Sequence, residues 1–556
     1  MIKKRKLLIA VILAAVFVMP LSAQRFLDED DEVEDLLAEA DSEFSDEGDE
    51  ELSDQLLAAN RFVMTVIEPS QPHDLNPKTS TYVSDAQLLS GVYEGLFSYD
   101  PQSLAPLPAI CEKYKISRDK KRWTFTLRQN ARFSDGSPIT AKDVRRSWLE
   151  LMETPDAPYA SMLDIIKGAA EFRAGKGTAD NVGITAVSDT TLSIRLTKAA
   201  SYLPSLLCHS AFSITHRNPT VFSGAYFISD IKNNEIILEK NEYYWDAQNV
   251  QIKVFCFFQS FGAEDNAYFY NTGFSEWITS YDVDTSKILA KNDIQINAEF
   301  GTEYLFFKDT SAKGRRIRTS PVWDNEDFRL AVLEAMPWDI LRGNSLVPAQ
   351  TFVYPLTDYP EVEGFSYTDP DEAKLMMKDA RIKAGIQEDE IIPLYMDLSE
   401  KTLSPEMENA IREALIPLGV EPVITYIPFT SYIDYVKDCD ADIVSYNWIG
   451  DFADPLAFLE LFRGDSTLNV SGWKNSEFDK LIDEASGISG KPRYELLARA
   501  EQILLNSGII IPLTHPVSMS IINTNEIGGW YQNAFNIHPL KYIYKKETKP
   551  DLKDCI

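Results

Sequence analysis

Residues 123–148 read WTFTLRQNARFSDGSPITAKDVRRSW, and this stretch changes its period partway along. Trp123 to Phe133 alternates as a strand does, SDGSPIT is turn chemistry, and AKDVRRSWLELM then takes a helical repeat. Thr140 is placed to cap that helix, and Gly136 with Pro138 fits a turn that demands one particular backbone. The same interleaving spreads outward. RFVMTVI (61–67) is β-branched and apolar, a buried strand ended by Pro69 and Pro72, and a helix is expected from Ser84 through Tyr93. TTLSIRLT and EIILEKN read as strands, and DEAKLMMKDARIKAG as a helix closed by Gly385. ENAIREALIPLG is a helix followed by the strand EPVITYI; FDKLIDEAS and RYELLARAEQILLNSG are helices, and IIIPLT is a strand. Strands and helices alternate throughout, which predicts an α/β protein and no solenoid repeat.

The chain has 556 residues, too many for one core; at about 150 residues per domain, roughly three or four domains are expected. Apolar residues make up 44% and charged residues 25%, an ordinary globular composition. The formal charge is −31, and it is unevenly spread. MIKKRK opens the chain and an apolar run, Leu7 to Met19, follows; Pro20, Ser22 and Ala23 complete the pattern of an export signal over 1–23. Residues 28–54 hold 16 Asp or Glu and no Lys or Arg. The leader 24–59 is therefore expected to be mostly disordered, with one short helical spacing at Val33, Leu36, Leu37, Ala40 and Phe44. The remainder still carries about −20, which disfavours a nucleic-acid partner. No cysteine stands near the signal, so bacterial lipid attachment has no acceptor there. Cys111, Cys208, Cys256, Cys439 and Cys555 are scattered, without metal-like spacing. The five histidines make no helical metal pair, and there is no GxSxG, P-loop or dinucleotide fingerprint. Nothing here points to a cofactor or a metal; carboxylates are abundant enough for a glycosidase-like pair by count, but nothing places two of them together, and the chain is expected not to be an enzyme.

Several segments together resemble one family, the extracellular solute-binding proteins of oligopeptide and dipeptide ABC transporters. EPSQPHDLNP (68–77), YEGLFSYDP (93–101), the 123–148 stretch, SGAYFI (223–228) and LEKNEYYWD (238–246) follow in that family's order. DFRLAVLEAMPWDIL (327–341), DEAKLMMKDARIKAG (371–385), WIGDFADPLAFLELF (448–462) and NEIGGWYQNAFNIHPLKYIY (525–544) continue it. YEGL and NEYYWD read as fold signatures rather than ligand contacts. The resemblance implies a two-lobed binding-protein fold of type II with an extra domain and a hinge. On this chain that gives lobe I as 60–92, 216–310 and 525–556, the extra domain as 93–215, and lobe II as 311–524. It implies a short peptide captured between the lobes, ABC permease subunits as membrane partners, a monomer, and an exported location, periplasmic or extracellular.

The resemblance also nominates residues. Asp451 in WIGDFADP holds the position of an amine-binding aspartate, three residues after Trp448. Asn447, Trp448 and Ile449 would flank the peptide, Thr81, Tyr82 and Val83 would pair with its backbone, and Tyr304 would border the cleft. Asp454, before Pro455, reads as a turn residue. Three departures stand out. Pro337 falls inside a family helix and should shorten or kink it. Thr81 stands where related binders can carry an acid. Ser445 stands six positions before Asp451, where a cation can anchor a ligand carboxylate, with Lys437 the nearest basic residue named for that role. Two other readings stay open: the same fold binding a metal complex, sugar or other small solute, and a sensor or interaction protein using its acidic leader.

Overall fold

The computed structural model of the protein describes residues 62–546, apart from 233, 280–281, 310–317, 319, 357, 401, 451 and 453, and leaves out the side chain of Val83. The expected signal (1–23), the leader (24–59) with its helical spacing, Asp451 and Cys555 lie outside the described residues.

Two sheets organise the chain. The first has seven strands in the order Ile294–Ala298, Val517–Ile522, Trp277–Ile278, Val63–Glu68, Val254–Gln259, Glu235–Lys240 and Tyr226–Lys232. Val63–Glu68 lies inside it, parallel to both neighbours, which is why its sequence is a near-continuous apolar run rather than an alternation. Met64 and Val66 face a core with Phe255, Phe257 and Trp277, while Ile67 faces the opposite one with Ile278 and Ile521.

The second sheet has five strands in the order Val420–Ile427, Ile392–Ser399, Ile443–Ile449, Gly301–Phe307 and Ile510–Thr514. A smaller antiparallel sheet, Cys111–Ile116, Arg122–Leu127, Thr191–Arg195 and Ile184–Ser188, carries the opening of the 123–148 stretch, where the strand expected over Trp123 to Phe133 ends at Leu127. Its helix, Ala141–Glu153, begins in a capping box: the Thr140 N–H donates to Asp143 Oδ2 at 3.0 Å. Val144, Trp148 and Leu151 bury the helix's apolar stripe, and the Trp148 indole donates to the Phe212 carbonyl at 2.9 Å. Gly136 takes a φ of +84°, the left-handed turn its sequence predicts.

The chain crosses between the two large sheets at two short places, Glu299–Phe300 and His515–Pro516. The crossings are tied together, since the Glu299 N–H donates to the Pro516 carbonyl at 2.9 Å. This corrects the expected boundaries at 310 and 524. Gly301–Phe307 already belongs to the second sheet and Val517–Ile522 has returned to the first. A strand's local pattern is the same in either sheet; its membership is set by its pairing partners, here Asn447 and Thr514 opposite Glu303.

Pro337 divides its helix as expected: Glu326–Ala335 stops and Trp338–Arg342 restarts beyond the proline. YEGL, NEYYWD and HPLKYIY, far apart in sequence, meet in one buried cluster. Glu94 accepts from the Tyr244 hydroxyl at 2.7 Å and the Trp245 indole at 2.6 Å, and pairs with the Lys541 ammonium. Cys111, Cys208, Cys256 and Cys439 are free thiols. Among the described residues no helix is long and apolar enough to cross a membrane.

Candidate functional site

A cleft of about 1040 Å³ opens between the two large sheets, at the crossings. That volume is at the upper end of the ~300–1,000 Å³ of small-molecule sites. On the first sheet's side its wall includes Glu68, Thr81 and Tyr82. Tyr82 is the residue before the helix Val83–Val92, and its extended backbone ends the entry loop. That loop is held by a buried ionic chain. His73 Nδ1 lies 2.8 Å from Asp85, whose carboxylate also accepts from the Asp74 N–H at 2.9 Å, and His73 Nε2 contacts Glu68 at 2.9 Å. Burial alone would depress the imidazolium, but the carboxylates of Asp85 and Glu68 outweigh it and hold its pKa up to about 10.

On the second sheet's side, Asn447, Trp448 and Ile449 line the cleft, as the sequence nominates them. Asn447 is exposed, whereas Trp448 is 7% exposed and its indole donates to the Ala457 carbonyl at 2.9 Å, so it offers the cleft little more than an edge. Gly450 lines the cleft and donates to the Phe300 carbonyl at 2.7 Å. Tyr82 and Phe429 approach across the gap, with ring centroids 6.5 Å apart.

Tyr304 does not border the cleft. It is 2% exposed and packs among Phe306, Phe352, Tyr446 and Phe462. Strand alternation explains the correction: with Tyr304 turned into the core, the adjacent Glu303 faces the other way, opposite Asn447, and lines the cleft. Ser445 is also in the wall, but its hydroxyl is consumed by the scaffold, accepting from the Ser399 N–H at 2.9 Å and bonding the Tyr432 hydroxyl at 3.0 Å. Lys437 pairs with Asp434 at 3.0 Å and is not in the wall. Asp454 makes the expected turn, accepting from the Leu456 N–H at 2.9 Å, and also pairs with the buried Arg493.

The wall holds charges that the sequence reading missed. Glu68, Asp282, Glu299, Glu303 and Glu400 line it, and among the described lining residues there is no Lys or Arg. Burial raises the Glu299 carboxyl to about 7 and raises that of Glu303 as well, with no cation acting on either. One signal was available: in AEFGTEYLFF, Glu303 interrupts an otherwise apolar strand.

The sequence model of the bacterial extracellular solute-binding proteins, family 5 Middle, matches residues 105–469. A dipeptide-binding protein, DppE, of Bacillus subtilis is 25% identical over 524 residues, covering 89% of this chain and 93% of its own. A periplasmic oligopeptide-binding protein, OppA, of Salmonella typhimurium is 27% identical over 512 residues, covering 86% and 90%. The solved structure of the Escherichia coli murein tripeptide binding protein MppA superposes with a TM-score of 0.76 at 22% identity, covering 87% of this chain and 99% of that one.

Proposed function

Because the chain belongs to the bacterial extracellular solute-binding proteins, family 5, we propose that it captures short peptides in this cleft and hands them to the permease of an ABC importer. It does so as an exported monomer released after signal cleavage, without covalent chemistry of its own. The observation that carries the reading is the cleft itself: two sheets joined by two short crossings, with segments from both sheets lining one space. Relatives over nearly the whole length are named for binding dipeptides and oligopeptides, which supports a peptide as the solute.

The roles divide by chemistry. Thr81, Tyr82 and Val83 on one side, and Asn447, Trp448 and Ile449 on the other, supply backbone groups that pair with an extended peptide as an added strand. Asp451, following the cleft residue Gly450, takes the peptide's ammonium. With Ser445 committed to the scaffold, the ligand's own carboxylate is not gripped by a basic side chain there.

The test is calorimetry on protein unfolded and refolded to strip carried ligand, titrated with short peptides bearing free or acetylated N-termini. Binding should require the free amine, and Asp451→Ala should cost about 2–5 kcal/mol of binding free energy. A folded protein that ignores every free-amine peptide would overturn peptide capture; equal binding of acetylated peptides would overturn the role of Asp451 alone.

A further inference from the structure

Glu299 is 5% exposed, lines the cleft at the first crossing, and its carboxylate makes no hydrogen bond or ion pair among the described residues. Glu303, four residues further along on the strand Gly301–Phe307, is likewise without a side-chain partner there and lines the same space. Buried polar groups are normally satisfied, and buried charges are normally paired. Most other buried acids of this protein obey that rule, although one carboxylate oxygen of Glu235, outside the cleft, is also without a hydrogen-bond partner. Glu501, fully buried, accepts from the N–H groups of Phe352 and Val353 at 2.9 and 2.8 Å and from the Tyr359 hydroxyl at 2.8 Å. Two further acids of the cleft wall have partners inside the protein: Glu68 lies against His73, and Asp282 accepts from the Ser260 hydroxyl at 2.8 Å.

Glu299 and Glu303 therefore stand apart from these: Glu299 is buried and Glu303 part-buried, both line the ligand space, and no Lys or Arg in the described wall matches them. A neutral or acidic ligand would leave the buried Glu299 and the part-buried Glu303 both unpaired. A ligand cation would complete them by a charge-assisted bond.

We infer that the cleft selects cationic ligands, and that Glu299 and Glu303 form a subsite for the ammonium or guanidinium of a Lys or Arg side chain in the bound peptide. This rests on the reading of the cleft as a peptide site and adds to it a second charge contact, separate from the one given to the peptide's N-terminus. Glu299 lies on a crossing between the sheets and Glu303 at the start of the second sheet's strand, so the cation is held where the two halves of the molecule join.

The experiment is calorimetry on the whole stripped protein with tetra-alanine, its single-Lys, single-Arg and single-Glu variants, and free arginine and spermidine. The Lys and Arg peptides should bind about tenfold or more tighter than tetra-alanine, and the Glu peptide weakest. The Lys-to-Ala preference should fall to about twofold in Glu303→Gln combined with Glu299→Gln, while Glu153→Gln combined with Glu495→Gln, an equal charge change at exposed positions outside the cleft, should keep it. Should the double variant not fold, Glu303→Gln alone, on the less buried of the two acids, should reduce the preference in the same sense. Equal affinities for the Ala, Lys and Glu peptides would overturn the inference and leave peptide capture standing. Tight binding of arginine or spermidine with no peptide bound would uphold the cation subsite and overturn the peptide as its source.

Discussion

Glu94 and Glu299 are both 5% exposed, yet they live in opposite circumstances. Glu94 has a phenol, an indole and an ammonium around its carboxylate, drawn from Tyr244, Trp245 and Lys541. Glu299 has none of these among the described residues. The first belongs to a region where distant pieces of chain are pinned to one another, and every strong polar group is answered from within. The second belongs to a region where the answer must come from outside. Burial alone does not separate scaffold from site in this protein; a missing internal partner together with a place in the cleft wall does.

Breaking the satisfied side should have the largest effect. Glu94→Ala strands Lys541, which is 9% exposed, without its counter-charge, and should cost about 3–5 kcal/mol of stability in urea denaturation. A Glu94→Ala variant as stable as the parent would mean that the cluster contributes no more than the cleft acids do, and the contrast would collapse.

The unsatisfied side should answer to pH before it answers to urea. The Glu299 carboxyl is raised from 4.5 to about 7 by burial. Below 4.5 it is protonated whether the chain is folded or not; between 4.5 and about 7 only the folded chain keeps the proton, so this group's contribution to stability is lost as pH rises through that window. Glu299→Gln should remove that share of the fall, a flattening of about 2–3 kcal/mol at most between roughly pH 4 and pH 8. Glu460 and Glu501, also raised to about 7, remain and keep part of the slope. Thermal melts across the window check it: an unchanged slope in Glu299→Gln would show that its carboxyl is not desolvated as its burial indicates.

The sequence made one half of this contrast much easier to read than the other. Val63–Glu68 was legible because a parallel inner strand buries both faces and so reads as an apolar run. The helix break at Pro337 was legible because proline's missing N–H acts locally. YEGL and NEYYWD could be assigned to the scaffold, but their meeting with Lys541 could not be foreseen, since no local pattern encodes a contact across most of the chain. The cleft wall was legible at Asn447, Trp448 and Ile449, through the resemblance, and misread at Tyr304. An error of one residue in a strand exchanges its two faces, and which face meets the cleft depends on the second sheet's packing, not on the strand's own letters. Glu303 was one residue away from the nominated position, and Glu299 sat at a crossing whose place was expected further along the chain.

Ser445 sharpens the contrast because it lies in the cleft wall yet behaves as scaffold. It is 3% exposed, and its hydroxyl answers the Ser399 N–H and the hydroxyls of Thr402 and Tyr432. These partners tie the strand Ile443–Ile449 to the ends of Ile392–Ser399 and the helix Phe429–Asp438. Ser445→Ala should leave the Ser399 N–H short of its acceptor and the Tyr432 oxygen short of one donor, at a cost of about 1–2 kcal/mol, visible as a lower urea midpoint with an unchanged m-value. If satisfaction rather than location defines the scaffold, the loss should appear in stability even though the residue faces ligand space. A Ser445→Ala variant with full stability would place this hydroxyl with Glu299 and Glu303 instead, among the groups whose partner is the ligand.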